Sequence, residues 1–182
     1  MLMTRSAWMR RLLFLFLSVM PARLLADQPL PNPHVRSTEA ELVAALEQGA
    51  RESATLRRLV NALEASDVIV YLTFDRNPSP EMAGHISLIT AAADRRYLRI
   101  SIDRRTAGCQ RLALLGHELR HAVEIAESRL VKDDAGLAAL YHRIGFKSVG
   151  NSRGDCFDSV GAILAGQTVL KEVLASQASG TR

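Results

Sequence analysis

The chain has 182 residues, of which 48% are apolar and 23% charged, a balance typical of a folded domain rather than a disordered chain. Its formal net charge of +4 is carried by residues 1–26, which contain four arginines and no acid. The rest holds 19 basic and 19 acidic residues, so no basic excess remains that would favour nucleic-acid binding.

Residues 1–26 have the layout of a secretory signal peptide. A start containing arginines precedes the apolar run Leu12–Met20, and small Ala26 precedes polar Asp27. The run is shorter than the roughly 20 residues that span a membrane. We therefore expect an exported protein, periplasmic or secreted, with no membrane attachment after cleavage. The alternative is an uncleaved N-terminal membrane anchor.

The segment 27–37 contains three prolines and is predicted to be an extended lead-in outside the core. Residues 38–176 are expected to form a single domain, and 177–182 a frayed tail.

The first helix is predicted from the helical spacing of leucines that continues to about Ala65. Ser37 or Thr38 is the expected cap, because Glu41 stands at capping-box spacing from Thr38. Gly49 marks a weak point or a break in this helix.

The middle of the chain reads as strands followed by helices. Stretches rich in β-branched, aromatic or alternating apolar residues predict three strands at Asp67–Asp75, His85–Ala92 and Arg95–Asp103. Helical patterns follow at Thr106–Ser128, at Lys132–Gly145 with Asp133 or Asp134 as its cap, and at Asp155–Gln177. The order predicts an α+β fold with an N-terminal helix, a small three-stranded antiparallel sheet and three later helices.

The helix Thr106–Ser128 carries the sequence His117-Glu118-Leu-Arg-His121. Residues four apart on a helix share one face, so the two imidazoles can bind one zinc ion. Glu118 stands close enough to accept a proton from a water bound there, which is how H-E-x-x-H helices hydrolyse peptide bonds. The preceding strand could pair with a substrate, and Gly116 suggests that another part of the backbone approaches the helix closely.

A helix with "GHELRHAVE" after a three-stranded sheet resembles the zincin metallopeptidases, in particular the small secreted bacterial members of the gluzincin-like group. The resemblance implies that His117 and His121 bind zinc and that Glu118 is the base. It also implies a third ligand, a carboxylate on a later helix, where the group usually has glutamate. Asp158 in "DCFDSVGA" is the candidate, with Gly161 and other small residues permitting close packing.

The sequence also allows other residues as the third ligand and other roles for Asp158. Asp158 could instead complete a capping box with Asp155. Glu124 lies on the same face as His121 and is expected to bond a ligand histidine or to be an exposed charge. His142 could be a ligand, a transition-state donor together with Tyr141, or a packed histidine, and the last is favoured.

Cys109 and Cys156 could form a disulfide in an oxidising compartment, or be two separate thiols. Tyr97 is expected to be a cross-strand aromatic rather than an oxyanion donor.

Together these features predict an exported zinc-dependent hydrolase, a small metallopeptidase acting on a peptide or protein substrate. A non-catalytic zincin-like domain with a retained metal or binding role is the alternative, and a binding module without metal is the third. The sequence does not indicate the oligomeric state.

Overall fold

The computed structural model describes residues 33–78, 82–147 and 157–180. In this part of the chain five helices and six strands form an α+β fold. Their order is β1 Val35–Ser37, α1 Ala40–Glu52, α2 Ala54–Glu64, β2 Val68–Phe74, β3 Gly84–Ala92, β4 Arg95–Ile102, α3 Gly108–Glu127, α4 Asp134–Ile144, β5 Gly145–Lys147, β6 Phe157–Ser159 and α5 Val160–Gly180.

The main sheet has four strands in the order β1-β2-β4-β3, and it is mixed. The three-stranded antiparallel prediction was therefore wrong in part: β1–β2 and β2–β4 are parallel, and only β3–β4 is antiparallel. A short turn at Ala93, which has a positive φ of 53°, joins β3 to β4. Because β3 doubles back, β4 runs parallel to β2, and β3 becomes an edge strand.

The lead-in is not wholly outside the fold. Its residues Val35–Ser37 pair with Val70–Leu72 of β2, and Val35 is buried. A strand of three residues is too short for its alternating pattern to be recognised in a segment rich in prolines. It forms only because it can pair with β2, which lies far along the chain.

The first predicted helix is two helices. The break lies at Ser53, whose hydroxyl caps α2 by accepting from Leu56 N at 3.0 Å, and not at Gly49. The expected cap of α1 is also wrong: α1 begins at Ala40 without a side-chain cap. Ser37 is engaged in β1 instead, where its hydroxyl donates to the Leu72 carbonyl oxygen at 2.7 Å.

The later helices follow the prediction more closely. Asp133 caps α4 by accepting from Gly136 N at 2.7 Å, and the helix stops at Gly145. The last helix begins at Val160 rather than Asp155, because β6 comes first, and it continues to Gly180 through most of the predicted tail.

Helices α3 and α5 pack closely through glycines. A Cβ at Gly116 would lie 2.6 Å from Val169 Cγ2, so a side chain of α5, and not a backbone segment as predicted, approaches α3 at this glycine. A Cβ at Gly166 would lie 3.1 Å from the Ala113 carbonyl oxygen and 3.2 Å from His117 Cβ. The contact therefore brings the start of α5 against the face of α3 that carries the histidines.

Two sequence predictions concern residues outside the described part of the chain. The signal peptide at 1–26 is one of them, and Cys156 is the other. Cys109 is a free thiol whose Sγ donates to Gln177 Oε1 at 3.3 Å. No helix within the described ranges combines the length and apolar character needed to cross a membrane.

A buried arginine caps the C-terminal end of α3. Arg96 is 3% exposed and pairs with both carboxylate oxygens of Asp67 at 2.7–2.8 Å. Its guanidinium also donates to the Ile125 and Ser128 carbonyl oxygens at 2.7 Å and to the Ala126 carbonyl oxygen at 3.1 Å. One side chain thus satisfies carbonyl groups that the end of a helix leaves without partners.

Replacing Arg96 with methionine should lower the free energy of unfolding by about 3 kcal/mol, because it leaves Asp67 and the α3 carbonyls unpaired. Urea denaturation would measure the loss. The matched control is Arg99→Met at an exposed position of the same strand, which should change stability by less than about 0.5 kcal/mol. Equal effects of the two substitutions would contradict this role of Arg96.

Candidate metal centre

Helix α3 places the predicted histidines side by side. His117 and His121 are one turn apart, their ring centroids lie 4.9 Å from each other, and the rings meet edge to face at 79°. His121 is buried and His117 keeps 23% of its side chain exposed. The i, i+4 spacing thus produces the arrangement that the sequence predicted.

Asp158 joins this pair from β6, directly before α5. Its Oδ1 lies 3.4 Å from His117 Nε2 and 3.5 Å from His121 Nε2. The three residues offer one donor atom each within 4.8 Å of one another, an arrangement that could hold a metal ion. The side chain of Asp158 is 22% exposed, so solvent reaches the cluster from this side.

Two of the three spacings between the donor atoms suit a small tetrahedral cation. Zinc ligands at about 2.0–2.1 Å from the metal in a tetrahedron are about 3.3–3.4 Å from each other. The two distances from Asp158 Oδ1 are close to that value. Two imidazoles and one carboxylate are also a ligand set found in catalytic zinc sites, which keep a fourth position open.

Three side chains form a hydrogen-bonded network on the Nδ1 side of His121. Its Nδ1 lies 3.0 Å from Glu124 Oε2 and 3.0 Å from the Tyr141 hydroxyl. Glu124 Oε1 in turn accepts a hydrogen bond of 2.7 Å from the Ser159 hydroxyl. A carboxylate that holds the second ring nitrogen of a histidine orients the first one, as in carboxylate–histidine–zinc arrangements.

The charges of this cluster are interdependent. Burial opposes the imidazolium, but hydrogen bonds with Asp158 and Glu124 raise the pKa of His121 to about 9. Burial and the neighbouring His121 lower the pKa of His117. Burial would raise the pKa of Asp158, yet its bond with His121 and the charge of His117 hold it below the usual range. In the absence of metal, a proton on His121 thus neutralises part of the negative charge.

Glu118 has a different environment. It is 3% exposed, and its carboxylate has no hydrogen-bond or ion-pair partner among the described residues. Burial, opposed by His121 and assisted by Asp158, raises its pKa to about 7. Gly84 at the start of β3 lies against it, since a Cβ there would be 2.7 Å from Glu118 Oε1. A buried carboxyl titrating near neutrality beside possible metal ligands has the properties of a general base.

The other candidate residues of the sequence analysis differ in their relation to this cluster. Glu124 makes the predicted bond to His121, whereas His142 is exposed and its ring centroid lies 4.7 Å from that of Phe157. Tyr141 alone of the Tyr141–His142 pair reaches the centre. Tyr97 lies across from Thr90 in the sheet, as expected of a cross-strand residue. Asp155 is outside the described residues.

Ser159 is a residue of the centre that was not predicted from the sequence. Its hydroxyl accepts from Ala162 N at 3.0 Å and so caps α5. It is 2% exposed. A serine three residues before the amide it caps was a visible signal, but Asp155 and Asp158 offered competing caps in the same segment.

Comparison of the chain with protein-family models, curated protein sequences and solved structures finds no match.

Proposed function

We propose that this protein is an exported zinc-dependent hydrolase, a small metallopeptidase in which His117, His121 and Asp158 bind the metal and Glu118 is the base. The observation that carries the proposal is the convergence of three donor atoms within 4.8 Å beside a buried carboxyl, that of Glu118, for which no hydrogen bond or ion pair is found within the described ranges. Structural metal sites do not require such a carboxyl, and its burial opposes folding, so its presence beside the donor atoms favours a role in catalysis.

The residues divide the chemistry between them. Zinc held by His117, His121 and Asp158 would supply Lewis acidity, which polarises a carbonyl group and makes water more acidic. Glu118, with a pKa of about 7, accepts the proton of the attacking water and returns it to the leaving amine. The Glu124 carboxylate and the Tyr141 hydroxyl keep the His121 ring in place during this transfer.

A peptide substrate fits the position of β3. This strand, and not β4 as the sequence suggested, forms the sheet edge next to α3, because β4 lies between β2 and β3. An extended peptide can add to such an edge through backbone hydrogen bonds. Gly84 brings the start of the edge strand against Glu118, so a chain paired there would pass close to the base.

The same features support a minimal zincin-like fold, in which an antiparallel edge strand lies beside the H-E-x-x-H helix and a later helix follows the third ligand. Cleavage of residues 1–26 would release the protein outside the cytoplasm. The partners we propose are peptide or protein substrates, with neither nucleic acid nor membrane.

One observation favours the second candidate, a non-catalytic zincin-like domain that retains the metal. Glu118 is only 3% exposed, which leaves it little access to a substrate in this conformation. Both candidates require the metal, and only the first requires Glu118.

Metal analysis tests the site they share. Protein purified without chelator and dialysed against trace zinc should contain about one zinc per chain by elemental analysis, and His117→Ala should contain less than about a tenth of that. His142→Ala is the control, because His142 is exposed and should not affect zinc content. Retention of zinc by His117→Ala, or its absence from the wild type, would reject the site.

Hydrolysis of a mixed peptide library by the zinc-loaded protein then separates the two candidates. Cleavage that 1,10-phenanthroline stops and added zinc restores is the expected result for an enzyme. Zinc binding without any cleavage would favour the non-catalytic domain.

A further inference from the structure

The carboxylate of Glu124 contacts both elements that contribute to the centre. Oε2 lies 3.0 Å from His121 Nδ1 on its own helix, and Oε1 accepts from the Ser159 hydroxyl at 2.7 Å. Ser159 directly follows Asp158. Glu124 is 5% exposed, and besides His121 it has the guanidinium of Arg120 nearby, whose Nε lies 3.5 Å from Oε1.

The contact with His121 determines which nitrogen is free. An ionised carboxylate can only accept, so the hydrogen of a neutral imidazole is drawn to Nδ1. The lone pair then stands on Nε2, the nitrogen 3.5 Å from Asp158 Oδ1. A carboxylate that accepts a hydrogen bond from the second ring nitrogen of a metal-binding histidine is a common arrangement, and the contact between Glu124 and His121 has this form.

The contact with Ser159 acts on the other element. The Ser159 hydroxyl donates to Glu124 and accepts from Ala162 N at 3.0 Å, so it ties the first turn of α5 to α3. Gly161 makes room for this, because a Cβ there would lie 2.8 Å from Glu124 Oε1. The strand that carries Asp158 has only three residues, so its position relative to α3 depends on such side-chain bonds.

We propose that Glu124 is a positioning residue for two metal ligands at once: it orients His121 directly and holds Asp158 in place through Ser159. The proposal rests on the proposed metal site. It adds that one hydrogen-bonded link, between α3 and the junction of β6 with α5, holds the ligands of that site in position.

The chain contains a matched control for this link. Ser53 caps α2 by accepting from Leu56 N at 3.0 Å, and its hydroxyl donates to Glu172 Oε2 at 2.5 Å. Ser53 is fully buried, as Ser159 nearly is, but its partner belongs to the middle of α5, and neither residue contacts the centre. Ser53→Ala therefore removes the same kind of cap and the same kind of bond without touching a ligand.

The experiment measures zinc affinity by competition with a chromophoric chelator for wild type, Glu124→Gln, Ser159→Ala and the controls. We expect Glu124→Gln and Ser159→Ala each to weaken zinc binding by about 10- to 100-fold. Ser53→Ala and Glu172→Gln should leave affinity within about twofold, although they lower thermal stability as Ser159→Ala does. Ser159→Thr retains the hydroxyl and should recover most of the affinity.

The path through Asp158 is tested by combining variants. In an Asp158→Ala background, Ser159→Ala should weaken binding by no more than about twofold further, because the ligand on which it acts is gone. The visible spectrum of the Co²⁺ form should change in Ser159→Ala toward that of Asp158→Ala, since it reports coordination geometry.

The outcomes separate the two proposals. A wild type that binds zinc while Ser159→Ala keeps full affinity would overturn the link to Asp158 and leave the proposed function intact. Equal losses of zinc affinity in Ser159→Ala and Ser53→Ala would show that the effect arises from helix capping alone, and they would also overturn the link to Asp158. A wild type that binds neither zinc nor Co²⁺ would overturn the proposed function, and this inference with it.

Discussion

Replacement of Glu118 by glutamine should lower kcat for peptide hydrolysis by a factor of about 100 to 10 000 while the protein still binds one zinc. The amide has nearly the same size as the carboxylate but cannot accept the proton of the attacking water. Since Glu118 is not among the three proposed ligands, zinc content should not change. Single-turnover assays and elemental analysis of the same preparation would measure both quantities.

The same substitution should stabilise the metal-free protein, and the gain should depend on pH. Burial raises the pKa of Glu118 from 4.5 to about 7, so between these values the folded state keeps a proton that the unfolded state releases. The free energy of unfolding of the wild type therefore falls as pH rises through this interval, by about 3 kcal/mol in all. Glutamine does not titrate, so the free energy of unfolding of Glu118→Gln does not decrease in this way.

Urea denaturation in the presence of chelator should accordingly show Glu118→Gln more stable than the wild type by about 3 kcal/mol at pH 8 and by less than about 1 kcal/mol at pH 5. Glu47→Gln is the control, because Glu47 is exposed, and it should leave stability unchanged at both values. Full activity of Glu118→Gln would refute its role as the base. A less stable variant at pH 8 would show that the carboxylate has a favourable partner.

The parts of the centre that the sequence predicted are those that one helix determines. His117, Glu118 and His121 depend only on the periodicity of α3, and Glu124 is three residues from His121 on the same helix. Such local geometry can be read from spacing alone. The same holds for the β3–β4 hairpin, whose short turn forces adjacent pairing.

The parts that could not be predicted depend on contacts between distant segments. Asp158 suits both a helix cap and a metal ligand, and only the packing of α5 on α3 brings it to the histidines. Pairing of β1 with β2 likewise requires residues 35 positions apart, Val35 and Val70, to meet. The substrate edge was assigned to β4 because that strand precedes α3 in sequence, whereas sheet order decides which strand lies outside.

Loss of the third proposed ligand, Asp158, should have a large effect on metal binding. Structural zinc sites with four ligands contribute about 10–16 kcal/mol, so one ligand is worth about 3 kcal/mol, a factor of at least about 100 in affinity. We therefore expect Asp158→Asn, which keeps the shape of the side chain, to weaken zinc binding by about 100-fold or more. The exposed Asp134 provides the control, and Asp134→Asn should bind zinc as the wild type does.

The expected result for Asp158→Glu follows from the packing of α5. Oδ1 of Asp158 already lies 3.4–3.5 Å from both imidazole nitrogens, and an added methylene would move the carboxylate past this position by about 1.5 Å. To compensate, α5 would have to move away from α3, and the close packing at the glycines opposes such a shift. Asp158→Glu should therefore bind zinc at least about 10-fold more weakly than the wild type, although its charge is the same. Wild-type affinity in Asp158→Glu would mean that β6 adjusts freely, and the close packing of the glycines would then not be what selects aspartate at this position.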